Sequence, residues 1–251
     1  FDNSDIVVDV GFVYDPEKGR YDHHQGEGAG AHENGIKYSG FGLIWKHYGL
    51  DFCGGDTAVW QRIDESLVTS IDANDNGQTL FIKNEYDTSP YTIDSMFSLF
   101  NPAFDEDLDR DAQFMKAVAI AQQVLDRIVT KTISSLKADR AFIEAYEATP
   151  DKRAIVLEKY LPMSKVTDDM PELLYVVFPD AIKGWRIQAA TVPDQKFVNK
   201  KSLPEIWCGK PKEELVEVSG ISDITFCHAS GFIGGADSKE GILKMLEIAL
   251  W

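Results

Sequence analysis

Two of the chain's five histidines stand side by side in Asp22-His23-His24. Alone, such a triplet reads as a polar loop whose imidazoles cap nearby backbone. Its meaning changes with its company. Asp9 closes the apolar run Ile6-Val7-Val8, and Asp72 and Asp75 fall at the end of a helical stretch in Ile71-Asp72-Ala73-Asn74-Asp75-Asn76-Gly77. These segments together supply carboxylate and imidazole donors. Carboxylates suit Mn2+ or Mg2+, and imidazole shifts the balance toward Mn2+, with Fe, Co or Zn also admitted. Two such ions roughly 3.5 to 4 Å apart activate a water and stabilise the leaving oxygen of a phosphoester.

The elements that must position these groups follow from pattern. Residues 5–11 form a short β-branched run that reads as a buried strand, with Asp9 at its carboxyl edge, where open α/β sheets bind ligands. After a turn at Asp15-Pro16, residues 20–25 lead into the glycine-rich loop Gly26-Glu27-Gly28-Ala29-Gly30. Ser39 to Tyr48 predicts a helix with Phe41, Ile44, Trp45 and Tyr48 on one face. A second helix runs from about Thr57 to Ile71 and stops at Gly77. Ser89 to Asn101 has no clear period. The acidic run Asp105 to Asp111 reads as the negative first turn of a helix. That helix carries the stripe Phe114, Val118, Ala121, Leu125, Ile128, Val129, Ile133 and Leu136, expected to pack on the sheet. Beyond Pro150 come strands at 153–157, 173–178 and 185–192, then a helix near 212–218. A strand at Ile224 to Cys227, a glycine-rich turn from His228 to Gly235 and a closing helix from Lys239 to Ala249 complete the chain.

Composition narrows the function classes. The chain has 251 residues, 41 acidic and 25 basic, for a net charge of −16, with 44% hydrophobic and 26% charged side chains. These are the proportions of an ordinary globular protein. No apolar run approaches the roughly 18 to 20 residues of a membrane span. Cys53, Cys208 and Cys227 are odd in number and lack CxxC spacing, against a disulfide framework or a zinc ribbon; an intracellular setting is expected. The negative charge disfavours a broad basic surface for nucleic acid but permits a site where cations neutralise phosphate locally. His32 and His47 are assigned to structure or solvent, and Trp45 and Trp185 to core.

The segments Ile6-Val7-Val8-Asp9-Val10-Gly11, Tyr14-Asp15-Pro16 and Arg20-Tyr21-Asp22-His23-His24-Gln25 resemble the Myg-one (melanocyte proliferating gene) exonuclease family of DHH phosphoesterases. So do residues 42–49, 71–77, Gly184-Trp185-Arg186-Ile187-Gln188-Ala189 and His228-Ala229-Ser230-Gly231-Phe232-Ile233-Gly234-Gly235. The matches follow the family's order along nearly the whole chain. The resemblance implies a DHH-type parallel-sheet domain over 1–103, a helical connector over 104–149 and a smaller α/β substrate domain over 150–251. It implies that Asp9 bridges two metal ions, that His23 ligates one, that His24 meets the substrate phosphate and that Asp22 orients its neighbours. Asp72 is preferred as the remaining ligand because it follows Ile71 at the helix end; Asp75 is the alternative ligand, unless it serves only as a turn or C-cap acid beside Asn76-Gly77. In the second domain, His228 and the turn ending at Gly234 and Gly235 would face the metal site. The glycine amides there would act as an anion nest, and Arg186 would add a phosphate contact.

The family begins with a His-rich segment of the type His-Asn-Gly followed by His-Cys-Asp-Glu. Nothing before Asp9 matches it, so an upstream segment and a first strand are expected. The implied activity is 3′-to-5′ RNA exonuclease action by metal-activated water, with Mn2+ or Mg2+ as cofactor and short or single-stranded RNA as substrate. The implied setting is nucleus and mitochondrion in a eukaryote or cytoplasm in a bacterium. The alternatives are a small-molecule phosphohydrolase acting on a dinucleotide or pyrophosphate, and a non-catalytic binding module with a degenerate site.

Overall fold

The computed structural model describes residues 4–82, 85–163, 165–195 and 197–251. The chain divides into two compact units, residues 1–134 and 135–251. The boundary lies inside the expected connector, not at either of its ends. Both units mix helices with sheets that contain parallel pairs, in keeping with the expected α/β class.

The N-terminal unit carries a small sheet of β1 (Val7–Val8), β2 (Tyr14–Asp15) and β3 (Arg20–Tyr21), in the order β1-β3-β2. The expected strand at 5–11 is thus cut to two residues, because Asp9, Gly11 and Phe12 all adopt positive φ and bend the chain out of the ladder. Helix α1 (Gly40–Phe52) begins where Ser39 caps it, its Oγ accepting from the amides of Phe41 and Gly42. Trp45 is in the core, as expected. The predicted second helix is α2 (Thr57–Ile63) and α3 (Thr69–Asp75) joined by a π-helical stretch, Asp64–Val68. Helix α4 (Ile93–Ser98) occupies the stretch without clear period.

Helix α5 (Arg110–Ala148) is 39 residues long. Most of the acidic run precedes it: only Asp109 caps it, accepting from the amides of Asp111 and Ala112, and Asp111 alone lies in its first turn. The middle of its apolar stripe faces a cavity, where packing on a sheet is expected. Val118, Ala121, Leu125 and Ile128 line that cavity with Phe41, Phe52, Leu67, Ile71, Ile93 and Phe97.

The C-terminal unit is built on a five-stranded sheet in the order β4-β5-β6-β8-β7. Its strands are β4 (Ala154–Val156), β5 (Tyr175–Pro179), β6 (Trp185–Ala189), β7 (Ile224–Cys227) and β8 (Ile233–Ala236). Only β4 and β5 pair in parallel. The run Tyr175-Val176-Val177-Phe178 is apolar throughout because both faces of β5 are covered. Tyr175 and Val177 meet Leu215 of α6 (Lys212–Ser219) and Ile242 and Met245 of α7 (Lys239–Leu250). Val176 and Phe178 meet Phe142 of α5, Leu157 and Leu173. Trp185 is partly buried against the first of these clusters.

Two expectations need correction. The glycine-rich turn ends early, and Gly234 and Gly235 lie in β8, paired with β6 on one side and β7 on the other. An added Cβ at Gly234 would meet Met245 and Leu203, and one at Gly235 would meet Phe226 and Arg186. These glycines serve close packing in a central strand, so the predicted anion nest is not formed there.

Candidate functional site

Parallel pairing carries two chemistry-bearing segments off one sheet edge. The register sets Val7 beside Arg20 and Val8 beside Tyr21, and the Asp9 amide donates to the Tyr21 carbonyl at 3.0 Å. Asp9 and Asp22-His23-His24 therefore leave the carboxyl ends of β1 and β3 together. Helix α1 starts at the same place: a Cβ on Gly40 would stand 3.0 Å from Asp9 Oδ1. A larger residue there would crowd that carboxylate beside the helix start.

The structure brings Asp9, His23 and His24 together, and of the two acids Asp72 and Asp75 it is Asp75 that joins them. His23 Nε2 lies 3.2 Å from Asp9 Oδ1 and 3.2 Å from Asp75 Oδ2. Neither approach is a hydrogen bond, and this buried nitrogen has no hydrogen-bond partner. One ligand atom each from Asp9, His23 and His24 lies within 4.8 Å of the others. An unpartnered buried nitrogen flanked by two carboxylates suits a cation. Burial pushes the Asp75 carboxyl above its ordinary value, more than the attraction of His23 pulls it down.

Asp72, the preferred ligand, is elsewhere. It is wholly buried, and its Oδ1 accepts from Ser39 Oγ at 2.6 Å and from the Gly42 amide at 3.0 Å. Its Oδ2 lies 2.7 Å from His32 Nε2. His32 Nδ1 in turn lies 3.3 Å from Asp64 Oδ2. A Cβ on Gly42 would collide with the Asp72 carboxylate. Asp72 ties α3 to the start of α1, and the acid one turn later, Asp75, reaches His23.

Asp22 is buried and fully engaged. It accepts from the Phe12 amide at 2.6 Å, from the His24 amide at 3.0 Å, and meets His24 Nδ1 at 2.6 Å. Burial alone would raise its pKa, but the bonds from His24 and Phe12 together hold it below the ordinary carboxylate value. The bond to Asp22 raises the pKa of His24. Asp22 therefore holds the His24 ring in place and shifts it toward its protonated form.

The group opens into a cavity of about 890 Å3 whose lining includes Asp9, Asp75, Asp94, Arg110, Asp111 and Phe114. Arg110 was not expected. Its sequence signal is its position as the basic residue inside the acidic run Asp105 to Asp111, at the start of α5. His32 had no signal beyond being a lone histidine. Within the C-terminal unit, Arg186 pairs with Asp180 at 3.2 Å and stacks over the Phe226 ring. Its guanidinium is thereby engaged as a strand-face ion pair. His228 is exposed; its Nδ1 lies 2.9 Å from Ser230 Oγ and accepts the Ser230 amide.

With this geometry in view, comparison with known proteins is informative. Residues 1–250 match MYG1_exonuc, described as an uncharacterised protein family, UPF0160. The chain belongs to the MYG1 family. Among its relatives, the MYG1 protein of Dictyostelium discoideum is 32% identical over 97% of this chain and 82% of that protein. The MYG1 exonuclease of Homo sapiens is 32% identical over 98% of this chain and 74% of that protein. The MYG1 exonuclease of Rattus norvegicus is 30% identical over 98% and 73%. No solved structure matches. Family membership thus agrees with the motif-based resemblance. Among the described residues, no helix of this MYG1 chain is long and apolar enough to cross a membrane.

Proposed function

We propose that this chain is a divalent-cation-dependent phosphodiesterase of the DHH type, a 3′-to-5′ exonuclease acting on short single-stranded RNA. The observation that carries the reading is His23 Nε2, buried, unpartnered and set 3.2 Å from the carboxylates of both Asp9 and Asp75. Asp9, His23 and Asp75 would hold the cation, with His24 at its margin. Bound there, Mn2+ or Mg2+ supplies Lewis acidity toward a water and the phosphoryl oxygens. The names of the mammalian relatives, MYG1 exonuclease, support a nuclease.

The residues of the chain do the rest. Asp22 keeps His24 oriented through its Nδ1, which leaves the other ring nitrogen to meet a phosphoryl oxygen. Arg110, in the same cavity, offsets phosphate charge where Asp94 and Asp111 would otherwise repel it. That acidic lining favours a short substrate, since few phosphates can be neutralised at once. The same lining gives weight to a second reading, hydrolysis of a dinucleotide or pyrophosphate.

The test is Mn2+-dependent hydrolysis of a 5′-labelled single-stranded RNA, with dinucleotide and pyrophosphate in parallel. Expected are stepwise shortening from the 3′ end and loss of turnover in both Asp9→Ala and His23→Ala. Turnover of pyrophosphate alone would favour the second reading. Absence of both cation binding and turnover would overturn both and leave a binding module.

A further inference from the structure

The C-terminal unit holds a cavity of about 590 Å3 lined by Gln188, Thr191, Phe197, Asn199, His228 and Phe232, together with Ala189 and Ser230. In a chain of net charge −16, this lining contains no carboxylate. It differs in kind from the cavity at Asp9, which is lined by four aspartates.

Its walls are aromatic and its edge is amide. The rings of His228 and Phe232 meet edge to face at 4.7 Å and 64°. Phe197 stands almost fully exposed at the rim. Gln188 projects from β6 on the face opposite the buried Ile187 and Ala189, beside Val176 and Ile233 in register. Val176 is covered by α5, whereas Gln188 is only partly buried. No hydrogen bond of the described residues engages the Gln188 amide, a donor and acceptor pair left facing a cavity. Asn199, by contrast, is committed to Ser202 and Ser230.

Flat aromatic walls with one free amide edge fit a planar heterocycle that carries both donors and acceptors. Stacking on aromatic side chains is how single-stranded bases are held, and the amide supplies edge recognition. We propose that this cavity binds an unpaired nucleobase of the oligonucleotide substrate, stacked on Phe232 with the His228 ring at its side and read by Gln188. The inference rests on the oligonucleotide reading above but needs no cation, so the two can fail separately.

The experiment is equilibrium binding of a labelled RNA trinucleotide to the full chain in excess chelator, with an abasic trinucleotide as the matched probe. Phe232→Ala should weaken binding of the normal trinucleotide by roughly tenfold, the size of one lost base stack, and leave abasic binding unchanged. Gln188→Leu, which keeps shape without the amide, should flatten the differences in affinity among trinucleotides of different base. Circular dichroism and thermal unfolding check that both variants fold. Equal affinity of the wild type for normal and abasic probes overturns the proposal, as does unchanged base preference in a folded Gln188→Leu variant. A chain that binds the normal probe preferentially yet hydrolyses no RNA would keep the pocket and remove the exonuclease reading. Hydrolysis without base preference would do the reverse.

Discussion

The two units are held together by different physics. The C-terminal unit has a five-stranded sheet covered on both faces, with Tyr175, Val177, Ile187, Leu215 and Met245 wholly buried on one side and Val176, Leu173 and Phe142 on the other. The N-terminal unit has three strands of two residues each, the small cluster Tyr21, Ala29 and Leu43, and buried apolar side chains along its helices, Trp45, Val59, Ile63 and Val68 among them. It leaves Phe12, Leu99, Phe104 and Phe114 largely exposed. Its order near the site comes from buried carboxylates: Asp72 gathers His32, Ser39 and Gly42, and Asp22 gathers Phe12 and His24. Chemistry that needs exposed acids and imidazoles is thus mounted on polar tethers, because an apolar core would desolvate the same groups.

That contrast is sharpest at two acids one helical turn apart. Asp72→Ala leaves His32 and the Ser39 hydroxyl without their buried partner and should cost about 3 to 5 kcal/mol, read as lost amide-exchange protection across α1 and α3. Asp75 is nearly half exposed. Asp75→Ala should therefore change stability by no more than about 0.5 kcal/mol while abolishing cation-dependent hydrolysis. An unstable Asp75→Ala with a sound Asp72→Ala would reverse the assignment of tether and ligand.

Apolar truncation should show the opposite asymmetry between units. Ile187→Ala empties a fully buried position and should cost about 2 to 5 kcal/mol. Val118→Ala lies on a cavity-lining, partly exposed stretch of α5 and should cost less than about 1 kcal/mol. Urea unfolding of both variants measures the difference, and equal losses would mean that the α5 stripe is packed as tightly as the C-terminal sheet.

Electrostatic tethers also differ in their pH windows. The bond to Asp22 raises His24, and Asp22, though burial pushes it up, is held down by the amides of His24 and Phe12 and by the His24 ring. The histidine's contribution is complete below its unfolded value of about 6.5 and is lost as pH rises through its higher folded value. The aspartate's contribution is present above its unfolded value and is lost as pH falls through its lower folded one. The pair is strongest between the two unfolded values, and Asp22→Asn should lower the titration of His24 toward the ordinary value in NMR of cation-free protein. In the C-terminal unit, bonds from the Arg153 side chain and backbone lower exposed Asp151 to about 2. Its small contribution should persist to that pH and disappear below it, and Arg153→Ala should raise the carboxyl titration toward the ordinary value.

Much of the fold was legible because pattern reports burial. The strand at Ile224 to Cys227 and the closing helix were found nearly to the residue, since their apolar spacing faces a true core. The stripe of α5 misled for the same reason: its period is helical, but periodicity does not say whether a face meets a sheet or an open groove. The acids at the end of α3 were legible as a pair and not as individuals. Choosing Asp72 over Asp75 required knowing that Ser39, Gly42 and His32, far away in sequence, occupy it. Gly234 and Gly235 read as a turn because composition cannot distinguish a glycine needed for bending from one needed for close packing.

Asp9 holds φ at +63°, a conformation that costs a side-chain-bearing residue roughly 1 to 2 kcal/mol. Glycine would relieve that cost at once, and asparagine would bear it as well as aspartate does. Random change at this position therefore has a downhill route to a sturdier, silent protein. In a laboratory library sorted only for thermal resistance, Asp9→Gly should be enriched. The same library sorted for turnover should keep the acid, so the position separates a lineage under selection for catalysis from one retaining only the fold.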